Sequence, residues 1–209
     1  MTLVKVTENV VDLLTEQFEK GQGLTAVPLK NYSGPALETW SEFALSSVIS
    51  LLKEEFPDAV IEHSKDYLAS DFDGFGKERL DQHVKVNGKY AYLQEDRAWV
   101  DKPFYTLKRA VIRNIIISCG EQLYDDCKFG VVGYCIDIRE DLVNTCNYTQ
   151  GYGDRIQMFS LTGRRRSKKV NGKVVNWYET GFNQETVVNY MNYVYETLKN
   201  AIISTTPAR

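Results

Sequence analysis

Apolar residues recur at spacings of three and four through Thr7–Lys20, where Val10, Leu13, Leu14 and Phe18 share one face of a helix. Thr7 stands where an N-cap would, and Gly21-Gln22-Gly23 marks the stop. The same spacing runs from Gly34-Pro35 to Phe56 through Leu37, Trp40, Ala44, Val48 and Leu51, and Pro57 closes it. Ala59–Glu62 has the length of a short strand, followed by a turn-rich connector over residues 64–78 that holds Asp66, Asp71 and Asp73. The pattern then becomes β-favouring around Asn87-Gly88, with Val84 and Val86 before the pair and Tyr90, Tyr92 and Leu93 after it. Both turn residues tolerate positive φ, so this stretch predicts a hairpin over about residues 79–99.

Asp101-Lys102-Pro103 opens a helix whose Phe104, Leu107, Val111, Ile112 and Ile115–Ile117 are apolar nearly all round, the mark of a buried helix. Lys128–Ile138 reads as a continuous apolar strand covered on both faces. After a polar loop over Asn144–Asp154, strands are predicted at Ile156–Leu161 and Val174–Tyr178, joined by a strongly basic segment. Asn183 caps a last helix that buries Val187, Met191, Val194 and Leu198. No repeat or linker divides the 209 residues, so a single domain is expected, of mixed α/β class with helices on both sides of a central sheet.

Composition narrows the function classes. With 43% hydrophobic and 25% charged residues, the chain has the make-up of a soluble globular protein. No apolar run approaches the roughly 20 residues of a membrane helix, and no signal peptide is visible, so a cytoplasmic protein with no membrane partner is expected. The four cysteines (Cys119, Cys127, Cys135, Cys146) lack Cys-x-x-Cys spacing and only two histidines occur, which argues against zinc and for free thiols. Net charge is −3, yet the stretch from Arg155 to Tyr178 holds seven basic residues and no acid. These are Arg155, Arg164, Arg165, Arg166, Lys168, Lys169 and Lys173, a local positive patch on an acidic body that suits phosphate binding.

The hairpin carries the candidate chemistry. Asp81 begins its first strand, and Glu95-Asp96-Arg97 ends its second. Folding brings these acids together, where they repel unless a cation lies between them, and oxygen-rich sites suit Mg²⁺. Register chooses the partner: a three-residue turn, Asn87–Lys89, pairs Asp81 with Glu95 and puts Arg97 on the same face, whereas a two-residue turn pairs Asp81 with Gln94 and brings Asp96 there. The competing reading is of ordinary solvated strand ends paired with Arg79 or Arg97. His83 falls on the face of Asp81, where packing or a DNA contact is favoured over a catalytic base.

Leu80-Asp81, thirteen intervening residues and Glu95-Asp96-Arg97, then a buried helix from Lys102 and the apolar strand 128–138, resemble the PD-(D/E)XK nuclease family. The resemblance covers Glu38 to Ile138 and rests on a short motif. Its spacing favours the Asp81–Glu95 pairing. It implies that Asp81 and Glu95 are catalytic and bind Mg²⁺, with Glu38 of the preceding helix (and Glu42 one turn on) as a further metal ligand. Two positions depart from the family: Leu80 replaces its proline, and Arg97 stands at its lysine. An arginine keeps its proton, so Arg97 stabilises charge without acting as a base, and Lys85, Lys102 and Lys108 are the lysines that remain to serve. Asp71 and Asp73 are alternative loop ligands.

The implied fold is a restriction-endonuclease-like three-layer α/β/α core with a central mixed sheet. The implied function is that of a type II restriction endonuclease of a prokaryote, cutting double-stranded DNA as a homodimer, with the 155–178 segment on the DNA. The alternative is a nucleic-acid-binding protein whose acids are structural.

Overall fold

In the computed structural model, the residues described are 1–18, 34–68, 79–97, 122–134, 155–163, 165–178 and 182–205. They form three helices, α1 (Leu3–Phe18), α2 (Gly34–Glu55) and α3 (Gln184–Thr205). Five strands build the main sheet: β1 (Ile61–Leu68), β2 (Arg79–Val86), β3 (Lys89–Arg97), β4 (Leu123–Tyr134) and β5 (Ile156–Thr162). Two more, β6 (Arg165–Val170) and β7 (Lys173–Tyr178), pair only with each other. The sheet order is β1-β2-β3-β4-β5, antiparallel across β1, β2 and β3 and parallel across β3, β4 and β5. This is a mixed α/β architecture around a mixed sheet. None of the described helices is long and apolar enough to cross a membrane. The predicted helix from Asp101 and the loop 144–154 lie outside the described residues.

All three helices share one core with one face of the sheet. Val10 and Leu14 of α1, Trp40 and Val48 of α2, and Met191 and Val194 of α3 meet Val84, Tyr92, Val132 and Phe159. Trp40 is fully buried, donates its indole N–H to the Val10 carbonyl at 3.5 Å, and tilts against Tyr190 with ring centroids 5.8 Å apart. Leu93, Phe129 and Val131, at positions of the opposite parity, are buried as well, so the sheet is covered on both faces.

Several boundaries moved for local reasons. Helix α1 starts earlier than Thr7, because Thr2 is the cap: its Oγ1 accepts the Lys5 N–H at 3.3 Å. Thr7 instead turns back onto the Leu3 carbonyl at 2.8 Å, the mid-helix habit of a threonine. At α3 the predicted cap holds, with Asn183 Oδ1 accepting the Thr186 N–H at 3.2 Å. β1 runs well past Glu62 to Leu68, taking in the start of the predicted connector. β4 begins at Leu123, five residues before Lys128. The basic segment, expected as a connection, is itself strand β6, because Asn171 (φ 50°) and Gly172 (φ 75°) fold it directly onto β7.

The Asn87-Gly88 turn does more than reverse the chain. Its φ values are 48° and 85°, and it joins two residues that pair directly, Val86 and Lys89. The Asn87 N–H donates to the Val60 carbonyl at 2.8 Å, Asn87 Oδ1 accepts the Val60 N–H at 3.1 Å, and Asn87 Nδ2 donates to Thr205 Oγ1 at 2.7 Å. One side chain thus ties the hairpin tip to the approach to β1 and the last turn of α3. Asn87→Ala is expected to lower stability by about 1–2 kcal/mol, since it forces alanine to positive φ and removes both side-chain bonds. Asn87→Gly keeps the backbone relaxed and should cost less; urea denaturation at unchanged m-value orders the three proteins.

Candidate active site

The turn holds two residues, Asn87 and Gly88, not the three that the preferred reading assumed. The register nevertheless shifts farther along the hairpin. Lys85 pairs with Tyr90 but Val84 pairs with Tyr92, so Ala91 is an extra residue that bulges out of the ladder. That single insertion moves the register by one, and the paired residues end at Gln82 opposite Gln94, with Asp81 and Glu95 the next residue on each strand. Asp81 and Glu95 therefore share a face, as the family spacing implies. Asp81 is half-buried and Glu95 is buried at 2% exposure. Asp81 Oδ2 accepts the main-chain N–H of Asp96 at 2.6 Å, which fixes the first acid onto the end of β3.

Asp96 belongs to the other face. Its Oδ2 accepts Ser41 Oγ at 2.5 Å and Gln82 Nε2 at 2.9 Å, and its Oδ1 accepts Gln94 Nε2 at 2.8 Å. Gln94 Oε1 in turn accepts the hydroxyls of Tyr92 and Tyr190, both at 2.8 Å. On the other side, Gln82 Oε1 lies 3.0 Å from His63 Nε2, and His63 Nδ1 lies 3.4 Å from Ser46 Oγ. Because the Gln82 amide nitrogen is spent on Ser41 and Asp96, its oxygen accepts, so His63 carries its proton on Nε2. The result is a continuous polar chain from α2 through β1, β2 and β3 to α3. Gly130 of β4 makes room for it: a Cβ there would collide with the Tyr92 phenol.

Burial shapes the titration of this chain. Loss of hydration raises the Asp96 carboxyl from 3.8 to about 7, and the nearby Asp81 charge adds to the rise, against the lowering effect of the Ser41, Gln82 and Gln94 bonds. A protonated Asp96 is accommodated, since Oδ2 can donate to Ser41 Oγ while Ser41 donates to the Glu38 carbonyl at 3.2 Å. Burial also lowers the His63 imidazole, partly offset by the Gln82 bond and the Glu42 charge. The phenols of Tyr92 and Tyr190 are held well above their ordinary value by burial, which keeps them donors.

The remaining expected residues are scattered. Arg97 follows two residues after Glu95 and pairs with Gly133 of β4. Glu38 is exposed on α2, and Glu42 forms an ion pair with Lys65. Lys85 holds its ammonium 4.6 Å from the Tyr90 ring centroid, near the turn and about 14 Å along the strand from Asp81. Lys85 is thereby tied to the turn end of the hairpin. His83 is buried and packs edge-on against Tyr90 at 5.3 Å, in keeping with a packing role. Lys102, Lys108, Asp71, Asp73 and Arg164 lie outside the described residues. Cys127 is a buried free thiol. Among the described residues no group of three or more His, Cys, Asp or Glu is arranged to hold a metal ion.

The basic residues divide into two sites. Arg155 is half-buried at the start of β5, and its carbonyl accepts the Tyr193 hydroxyl at 3.3 Å. Arg165, Arg166, Lys168, Lys169 and Lys173 belong to the β6–β7 ribbon beyond the other end of β5, about 23 Å along that strand. Because β3, β4 and β5 are parallel, Arg97, Gly133 and Ser160 lie side by side, and the chain leaves β5 for the ribbon two residues beyond Ser160. The root of the ribbon and the Asp81–Glu95 pair therefore share one end of the sheet. A cleft of about 920 Å³ lined by Lys89, Tyr124, Asp125, Lys128, Asn192 and Glu196 lies at the opposite end and includes neither acid.

The sequence reading missed Ser41, Gln82, Gln94, Asp96 and Tyr190 as one assembly. The available signal was polar side chains (Gln82, Gln94) at strand positions in register with core residues. Comparison with protein family models, characterised proteins and solved structures returned no match.

Folded Asp96 holds a proton that the unfolded chain releases between about pH 4 and 7, so its contribution to stability falls as pH rises through that window. The full difference corresponds to about 4 kcal/mol, and the partial exposure of Asp96 makes the actual loss smaller. Asp96→Asn cannot titrate. Subtracting its urea-derived stability from that of the wild type should give a difference that declines from about pH 4 to 7; a flat difference shows that the carboxyl stays ionised.

Proposed function

We propose that this chain is a Mg²⁺-dependent type II restriction endonuclease, cleaving double-stranded DNA as a homodimer in the cytoplasm of a prokaryote. The observation that carries the reading is the common end of the sheet shared by two carboxylates, Asp81 and Glu95, that adjoin the last β2–β3 pair, Gln82 and Gln94, and by the root of a ribbon bearing five of the seven basic residues. A mixed sheet flanked by helices, with an acid on each of two adjacent antiparallel strands, supports the same reading. A nuclease needs acids for a cation and cations for a phosphodiester in one neighbourhood, and both are present here.

In this reading Asp81 and Glu95 would hold Mg²⁺, whereas Glu38, the further ligand implied by the family, is exposed on α2 and is not grouped with them. Bound there, Mg²⁺ would supply a lowered pKa for a bound water and positive charge to offset that developing on phosphorus. Asp81 is oriented by the Asp96 N–H, so its carboxylate is set before substrate arrives. Water attacks phosphorus, the bond to the departing sugar oxygen breaks, and that oxygen takes up a proton. Arg97, permanently charged, stabilises the negative charge of the transition state. Two-fold symmetry of the protein matches the two-fold symmetry of a palindromic site.

A second reading, a nucleic-acid-binding protein with structural acids, draws on the same hydrogen bond: Asp81 already serves as the acceptor for the Asp96 N–H. Incubating plasmid DNA with and without Mg²⁺ separates the two. Discrete Mg²⁺-dependent fragments support the endonuclease, and binding without cleavage supports the second reading. Asp81→Ala and Glu95→Gln should each slow cleavage by at least about a hundredfold while leaving DNA binding intact. Normal cleavage by either variant removes that residue from the site.

A further inference from the structure

The β6–β7 ribbon has a shape that selects among nucleic acids. Its six-residue strands are about 20 Å long, and two strands about 4.8 Å apart make a backbone ribbon about 10 Å across with its near side chains. Ser167 through Val174 are exposed throughout, so the outer part of the ribbon stands clear of the rest of the protein. Its root is firmly held. Thr162 forms an antiparallel bridge with Phe182, the Asn183 N–H donates to the Leu161 carbonyl at 2.8 Å, and Phe182 is buried in the core. The arm is thus an excursion from a closed base.

Charge is present on both sides of it. Lys168 and Lys169 are consecutive and leave the ribbon on opposite faces, and the pairing of Val170 with Lys173 puts Lys173 on the face of Lys168. Exposed valines accompany them, Val170 (40%) on one face and Val174 (59%) on the other. A flat anionic surface would engage one face only, whereas a groove between two phosphate walls engages both. The major groove of B-DNA, about 12 Å wide, admits a two-stranded ribbon as it stands, whereas the minor groove, about 6 Å wide, takes strands only when the duplex is bent and opened. In A-form RNA the major groove is deep and narrow, which shuts the ribbon out.

We infer that the β6–β7 ribbon enters the major groove of B-form DNA, with Lys168, Lys169 and Lys173 toward the phosphate walls and the valines near its tip available to thymine methyl groups. The inference rests on the DNA-binding half of the proposed function and does not depend on cleavage.

The test measures binding of the whole protein in EDTA, where no Mg²⁺-dependent cutting occurs. The probes are one short duplex, the same duplex with glucosylated 5-hydroxymethylcytosine filling its major groove, the same duplex with netropsin in its minor groove, and the RNA duplex of the same sequence. Major-groove glucose and the RNA form should each weaken binding about tenfold or more, while netropsin leaves it nearly unchanged. The triple variant Lys168→Ala, Lys169→Ala, Lys173→Ala should keep its circular dichroism and lower the slope of log K against log salt by about 2.7. Competition by netropsin with indifference to the glucose overturns the inference and leaves the nuclease reading standing. An unchanged salt slope in the triple variant also overturns it. Failure to bind any duplex DNA, including binding to anionic vesicles instead, overturns both.

Discussion

Asp96 puts a carboxyl group where β2, β3 and α2 meet, and one side chain from each of those elements is aimed at it. Ser41, Gln82 and Gln94 supply the three donors, and Gln94 also receives the phenols of Tyr92 and Tyr190. Leaving any of these groups without a partner inside the core costs about 1–3 kcal/mol, so the assembly tolerates one arrangement of the strands and penalises others. Register, helix placement and the orientation of Asp81 all follow from keeping it intact. The Ala91 bulge is the local adjustment that lets a two-residue turn at Asn87 coexist with that register.

Asp96 works on both faces of the sheet at once. Its side chain is committed to the helical side, while its main-chain N–H reaches Asp81 on the other. The Asp81 carboxylate is therefore positioned by the main chain of a neighbour whose own side chain is turned to the other face. The parallel run β3, β4 and β5 then determines what else is nearby, since their ends align and the chain leaves β5 for the basic ribbon on that side. In the proposed enzyme, cation-binding and phosphate-binding elements meet because of strand direction, although their residues are far apart in the chain.

Much of the fold was legible where the signal is local. The long periodic helices α2 and α3, the Asn183 cap and the Asn87-Gly88 hairpin each announce themselves within a few residues. Alternation was a poorer guide to β1, whose Ser64 and Lys65 are exposed on an edge strand and read as connector. The hairpin register was expected from a three-residue turn, whereas it is set by a two-residue turn and the Ala91 bulge, because a bulge leaves no clear mark in sequence. Least visible was the environment of Asp96. Its partner Ser41 lies 55 residues away and the Gln94–Tyr190 contact spans 96, so a side chain that resembled a solvated strand end became a core group through tertiary packing alone.

The closed base formed by Thr162 and Phe182 separates the ribbon from the body that carries it. Between those two residues the chain is free to vary in length and composition while the junction beneath stays the same, as with a tool held in a fixed chuck. The arm and the body that carries it are thereby separate parts joined at one seam.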